Sequence, residues 1–211
     1  MGRSVARREG RDPRATRERI LDAALDVFAR HGYHEATVDD IVAASDSSKG
    51  GFYFHFPSKD GVFLALVDSL ARRLEAKVER AIAQEATSVA RVDAALRTVL
   101  EVFARHRRLA RVLLLDVPGL KHVLSKRYLE VRSRFARLIQ VHLEEAVRDG
   151  SLPPVDTALT AVMWMGAVNE VVVHWLYTGQ PRPLTAALPQ VRALLLRSVG
   201  LPPVAEPPAP G

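Results

Sequence analysis

The sequence predicts an all-α protein. Apolar residues recur at helical spacing along almost the whole of its 211 residues, helix start and stop signals separate the runs, and no hairpin turn or internal repeat interrupts them. Residues 1–11 read as a disordered, Arg-rich arm. Asp12-Pro13 then opens the first helix, with Asp as N-cap and Pro at the first helical position, where its missing N–H costs nothing. Ile20, Ala23, Ala24, Val27 and Phe28 form its inward stripe. Gly32 ends it, because a left-handed C-cap is strained for any residue with a Cβ.

Thr37-Val38-Asp39-Asp40 is a variant capping box: the Thr hydroxyl accepts from the Asp40 amide and the Asp40 carboxylate reaches back. A short helix follows, with Val38, Ile41 and Val42 inward, ending near Ser45-Asp46. Ser47 or Ser48 starts another short helix through Phe56. Pro57-Ser58 breaks the chain and caps a long helix, whose apolar positions Val62, Phe63, Leu66, Val67, Leu70, Leu74 and Val78 keep helical spacing.

The remainder continues the pattern. Helices are expected over Val92–His106, Leu109–Val117 up to Pro118-Gly119, Leu120–Arg148 up to Asp149-Gly150, and Asp156–Thr178. The last spans Leu184–Val199, with Pro189 as an alternative start. Residues 202–211 hold five Pro and should be disordered. The expected domains are therefore an arm (1–11), a three-helix module (12–57), a larger helical domain (58–201) and a tail (202–211).

Composition narrows the function. Apolar residues make up 48%, enough for a real core. The absence of Cys excludes disulfides, thiolate metal sites and Cys nucleophiles, and fits a reducing cytoplasm. There is no signal-peptide pattern, no Walker loop, no dinucleotide-binding glycine motif and no nucleophile elbow, so an enzyme is not expected and no cofactor is called for. The net charge is +6, which suggests an anionic partner. Residues 1–19 carry seven Arg against three carboxylates, while residues 20–60 carry three cations against seven. Any grip on phosphate near residue 50 must come from a few placed groups.

Two short helices joined by a tight turn and packed on a longer one form a helix-turn-helix, whose second helix enters the DNA major groove. That helix reads Ser48-Lys49-Gly50-Gly51-Phe52-Tyr53-Phe54-His55-Phe56. Ser48 and Lys49 bring donors to its start. Gly50 and Gly51 let the backbone approach closely. Tyr53 and His55 can donate to phosphates, Lys59 can add a charge-assisted contact, and Phe54 can meet a thymine methyl or a sugar face. Thr37 caps its helix and can also face a phosphate. Phe56 lies on the inner face at i+4 from Phe52. The expected DNA-binding set is Thr37, Ser48, Lys49, Gly50, Gly51, Phe52, Tyr53, His55 and Lys59.

The run Thr37–Ser45, then Ser48-Lys49-Gly50, Tyr53 and His55-Phe56-Pro57-Ser58-Lys59, resembles the signature of the TetR (tetracycline-repressor-like) family. Arg19–Ala24, Phe28 and Gly32-Tyr33 resemble that family's first helix. The detailed resemblance covers residues 15–67. Beyond it, the helical layout, Gly166-Ala167-Val168-Asn169 and Trp175 look similar. The chain departs from the pattern at Asp46, where Gly is usual, at Ser47, where a small apolar residue is usual, and at Gly51, Phe52 and Phe54.

The resemblance implies a transcriptional regulator, a repressor binding a palindromic operator in double-stranded DNA as a homodimer and released by a small hydrophobic or amphipathic effector such as a fatty acyl-coenzyme A. A ligand-independent dimeric regulator of the same fold is the alternative. The last two long helices would pair into a four-helix dimer interface. Ala158–Tyr177 is apolar nearly all round, which fits an interface with Val168 as a contact, and fits a membrane anchor less well because Asn169, Glu170 and His174 interrupt it. Phe103, Tyr128, Phe135, Trp164 and Asn169 are the expected ligand-pocket residues, and each also suits ordinary core. Glu170 and His174 have metal-ligand spacing, but two ligands make no site; they suit hydrogen bonds at a subunit interface or in the cavity. Arg105, Arg107, Arg108, Arg111, Lys121, Lys126 and Arg127 form a second basic cluster, either a solvated face or an entrance for an anionic ligand.

Overall fold

The structure is a computed structural model that describes residues 13–116 and 122–201. The Arg-rich arm, Asp12, Pro118-Gly119, Lys121 and the Pro-rich tail lie outside the described residues, as do the side chains of Arg127 and Tyr128. The described residues form helices and turns, without strands.

Helix α1 (Pro13–Glu35) bends at Gly32, whose φ of 74° ends the regular spiral before one further turn. Helix α2 (Val38–Ala44) starts at the complete Thr37/Asp40 capping box. The turn after it places Asp46, where the family usually has Gly, at φ 47°, a left-handed conformation that Asp tolerates better than most residues. Helix α3 (Lys49–His55) is capped by the Ser48 hydroxyl, which accepts from the Gly51 amide at 3.0 Å. Helix α4 (Lys59–Ile82) buries all seven of its expected apolar positions.

The chain divides by contacts into two units, Met1–Leu66 and Val67–Gly211. The boundary falls inside α4, beyond the Pro57-Ser58 break, because the first turns of α4 belong to the first unit's core. There Phe63 packs edge-on against Phe28, with ring centroids 5.0 Å apart, and at 4.8 Å from Tyr33. Phe52 and Phe56 of the α3 segment complete this core with Ile20, Ile41 and Val62.

In the second unit, α5 runs from Ser88 to Arg105 and is capped by Thr87. It starts four residues before the expected Val92, because the cap and not the first apolar residue sets the start. Helix α6 (Arg107–Arg111) passes into a π-helical turn, Val112–Asp116, where one α-helix was expected. Helix α7 is His122–Arg148, and α8 is Thr157–Thr178, capped by Asp156 and closed by left-handed Gly179. A 3₁₀ turn, Leu184–Ala187, leads into α9 (Leu188–Ser198), with Pro189 in its first turn. Helix α7 packs along α8, and α5 packs on α9 and the 3₁₀ turn.

Polar ties fix this packing. Trp164 donates its indole N–H to the Ser198 hydroxyl at 2.9 Å, joining α8 to α9. Asp93 receives Arg97 and Arg192, joining α5 to α9. Arg107 donates to the Leu176 carbonyl and stacks over the Trp175 ring, so this member of the second basic cluster holds the end of α8. The buried carboxylate of Asp68 on α4 accepts from Arg72 and, at 2.8 Å, from Arg134 on α7. Burial pushes the Asp68 carboxyl up, but the bonds from Arg134 and Arg72 and their charges outweigh burial and hold it below the ordinary carboxylate value.

A folded-state pKa below the unfolded one stabilises the fold above the unfolded value and loses that contribution as pH falls through the folded value. Arg134→Met is therefore expected to lower stability at neutral pH by about 2 kcal/mol. The loss relative to the parent should shrink as Asp68 protonates on the acid side, as read by urea denaturation between neutral and acid pH.

Candidate nucleic-acid interface and ligand cavity

The first site is the outer face of α2 and α3. The Thr37 hydroxyl is exposed but engaged on both sides: it accepts the Asp40 amide at 3.1 Å and donates to the Asp40 carboxylate at 2.7 Å. Those bonds, from the hydroxyl and from the Thr37 backbone, hold the Asp40 carboxyl below its ordinary value. Ser48 is exposed and accepts from Gly51, which leaves its own proton for an outside acceptor. A Cβ on Gly51 would stand 3.2 Å from that hydroxyl, so the bare position also protects the cap. Lys49 pairs with Asp39 at 2.9 Å, both largely exposed, and this bond raises the Lys49 pKa. Tyr53 is 52% exposed, and His55 is half-buried.

Two of the expected DNA-binding residues are placed elsewhere. Phe52 is fully buried and belongs to the core, since it shares the inner face with Phe56. Lys59 spends all three ammonium protons on the carbonyls of Tyr33, His34 and Ala36, at 2.9, 3.1 and 2.9 Å, and lies 4.6 Å from the centre of the Tyr33 ring. It satisfies the chain end left open after Gly32 instead of facing a phosphate. The Tyr33 hydroxyl donates to Asp60; burial, and then this acidic partner, push its pKa far above the ordinary phenol value. Sequence reasoning also missed Arg17, whose guanidinium covers the Phe56 ring at 5.2 Å.

The second site is a cavity of about 210 Å³ inside the second unit. Four of the five expected pocket residues line it: Phe103, Phe135, Trp164 and Asn169. The α4 wall is Val67, Ala71, Leu74, Val78 and Ile82. At the rise of an α-helix these span ~22 Å. The lining is apolar along this length, with Ser88, Arg91, Arg132 and His142 among the few polar residues. Arg91 and His142 both reach the same Glu145 oxygen at 3.3 Å, a polar cluster that the sequence did not reveal. Val168, expected at a subunit interface, is half-buried and lines this cavity. Glu170 and His174 lie exposed on α8 and do not line the cavity. Among the described residues no group of His, Cys, Asp and Glu could hold a metal ion.

Residues 20–66 match the family model of bacterial regulatory proteins, tetR family, and residues 85–194 match that of the tetracyclin repressor-like C-terminal domain. The chain belongs to the TetR family. It is a DNA-binding transcriptional regulator with a helix-turn-helix, not an enzyme. The HTH-type transcriptional regulator SrpR of Pseudomonas putida is 32% identical over 178 residues, 83% of this chain and 80% of that one. The fatty acid metabolism regulator protein of Bacillus subtilis is 24% identical over 181 residues, covering 85% and 93%. Among solved structures, the fatty acid degradation regulator FadR of Bacillus halodurans superposes with a TM-score of 0.80 at 28% identity, covering 85% of this chain and 97% of that one. FadR of Bacillus subtilis, in complex with stearoyl-CoA, gives 0.79 at 24% identity, covering 87% and 97%.

For a TetR-family regulator, the two readings of Lys59 separate cleanly. Lys59→Met is expected to lower stability by about 2 kcal/mol, since a charged donor is removed from several carbonyls. At equal folded fraction, the salt dependence of DNA binding should stay unchanged, whereas a lost phosphate contact would flatten the slope by about 0.9.

Proposed function

We propose that this TetR-family chain is a cytoplasmic repressor that binds a palindromic operator as a homodimer and is released by a long-chain acyl-CoA or a similar amphiphile. The observation that carries the effector reading is the lining of the cavity. A cavity whose α4 wall spans ~22 Å, lined mostly by apolar side chains with a few polar ones among them, suits one extended hydrocarbon chain better than a compact drug-like molecule. The regulators of fatty acid metabolism among the relatives, and the stearoyl-CoA bound by one of them, support the same class. Helix α4 is continuous from Lys59 to the cavity wall, so one helix carries residues of both units. The ligand changes DNA affinity only by the difference in its own affinity for the two states of the protein.

The dimer reading rests on α8. Leu159 and Met163 are 57% and 58% exposed, and Val162 and Ala167 extend this apolar stripe at helical spacing, with Tyr177 exposed on the same face beyond Glu170 and His174. Leu194 of α9 is exposed as well. Helix α8 is long and apolar enough to cross a membrane, at a mean hydropathy of 1.3, but Glu170 and His174 lie on its exposed face, where lipid would leave them without partners. Two copies of α8 and α9 related by a two-fold axis would cover the stripe. The same axis implies operator half-sites with centres ~34–36 Å apart or somewhat more.

Stearoyl-CoA is expected to raise the melting temperature and to release bound DNA in a fluorescence-anisotropy titration, octanoyl-CoA to act more weakly, and coenzyme A to do neither. DNA binding that no acyl-CoA disturbs would favour the ligand-independent alternative. Met163→Glu is expected to sediment as a monomer, because the two-fold axis introduces the charge twice. A dimer persisting at micromolar concentration would refute the α8 interface.

A further inference from the structure

Among the described residues, the first unit exposes two large apolar side chains, and they are neighbours: Tyr53 and Phe54. Successive residues of a helix are turned by roughly 100°. Phe52 and Phe56 point into the core, and this direction makes Gly50 and Phe54 the outermost positions of the α3 segment. Lys49 and Tyr53 flank that face on one side, Gly51 and His55 on the other. Phe54 is 78% exposed, and its ring stands edge-on to the His55 ring at 5.0 Å. One turn earlier, a Cβ built on Gly50 would meet nothing nearer than the Ser48 hydroxyl at 4.0 Å. The fold thus has room for a side chain at Gly50, and Ala would suit a helix better. The bare backbone there gives clearance to a body outside the protein.

What α3 lacks indicates what that face meets. Lys49–His55 contains no Arg, Asn or Gln, the side chains that bind guanine or adenine in bidentate fashion. Its one Lys is held by Asp39. An exposed phenyl ring at the apex has no hydrogen-bonding group to offer, and the thymine 5-methyl group is the apolar feature that the major-groove edge presents to it. We propose that Phe54 is a specificity-determining residue that reads thymine methyl groups in each half-site, with Gly50 supplying the backbone clearance that lets the ring reach them. This rests on the reading of α3 as the helix that enters the major groove.

The test starts from duplexes selected by the full-length protein out of a random-sequence pool. A thymine step should be enriched at one symmetric position of both half-sites. Replacing those thymines by deoxyuracil removes only the methyl groups and should weaken binding about fourfold per half-site, the value of one buried methyl. Phe54→Ala, whose position is exposed and whose folding circular dichroism checks, should bind the thymine and uracil duplexes equally. Tyr53→Phe, a flanking change, should keep the discrimination. Wild-type protein that binds both duplexes equally, together with a Phe54→Ala variant weakened on every sequence alike, would place the ring against the sugar and overturn the proposal while leaving DNA binding intact. Failure to enrich any duplex would overturn the DNA-binding reading and this inference with it.

Discussion

One ammonium group sets the geometry of the DNA-binding unit. When α1 bends at Gly32 and stops, carbonyls at its end are left without donors, and a chain terminus of this kind is costly to leave unpaired. The Lys59 side chain supplies three of them, from the first residue of α4. This clamp fixes where α1 ends and where α4 begins. The intervening α2 and α3 are then held between two anchored points, with Phe28, Tyr33 and Phe63 stacked behind them. The outer face of α3 is presented by this brace together with the burial of Phe52 and Phe56 on its inner side.

Features that depend on a side chain and a backbone group within a few residues were legible in the sequence. The Thr37 box, the left-handed Asp46, the Ser48 cap and the stop at Gly32 are of this kind. The reach of Lys59 was not legible, because its acceptors lie 23 to 26 residues earlier in the chain. Phe52 was readable: the i+4 relation to the inward Phe56 already placed it on the inner face, and its place in the DNA-binding set conflicted with that helical argument. Boundaries suffered where apolar spacing was followed instead of capping chemistry, as at Thr87. The π-helical turn at Val112–Asp116 escaped because apolar periodicity carries no mark of a widened turn.

The cavity was legible in its contents and not in its form. Aromatic and amide residues inside an apolar helical domain pointed to Phe103, Phe135, Trp164 and Asn169, and they do line one space. Its walls are stripes on α4, α5 and α7 brought together by packing, which no single helix encodes. The same holds for Arg91, His142 and Glu145, which meet only once α5 and α7 are packed. Val168 shows the limit of reading one helix by itself. Helix α8 is apolar all round, so its sequence could not say which side faces the cavity and which side is left outside.

The unequal surroundings of the two adjacent glycines in α3 bear on how such a protein can change over evolutionary time. Position 51 is tighter, since a Cβ there would stand 3.2 Å from the hydroxyl that caps the helix. Position 50 is open, so substitutions can accumulate there without endangering the fold. Descendants of this sequence could thus acquire new DNA preferences at one site while stability is guarded at its neighbour, a separation that lets duplicated copies drift toward different target genes without first passing through an unfolded ancestor.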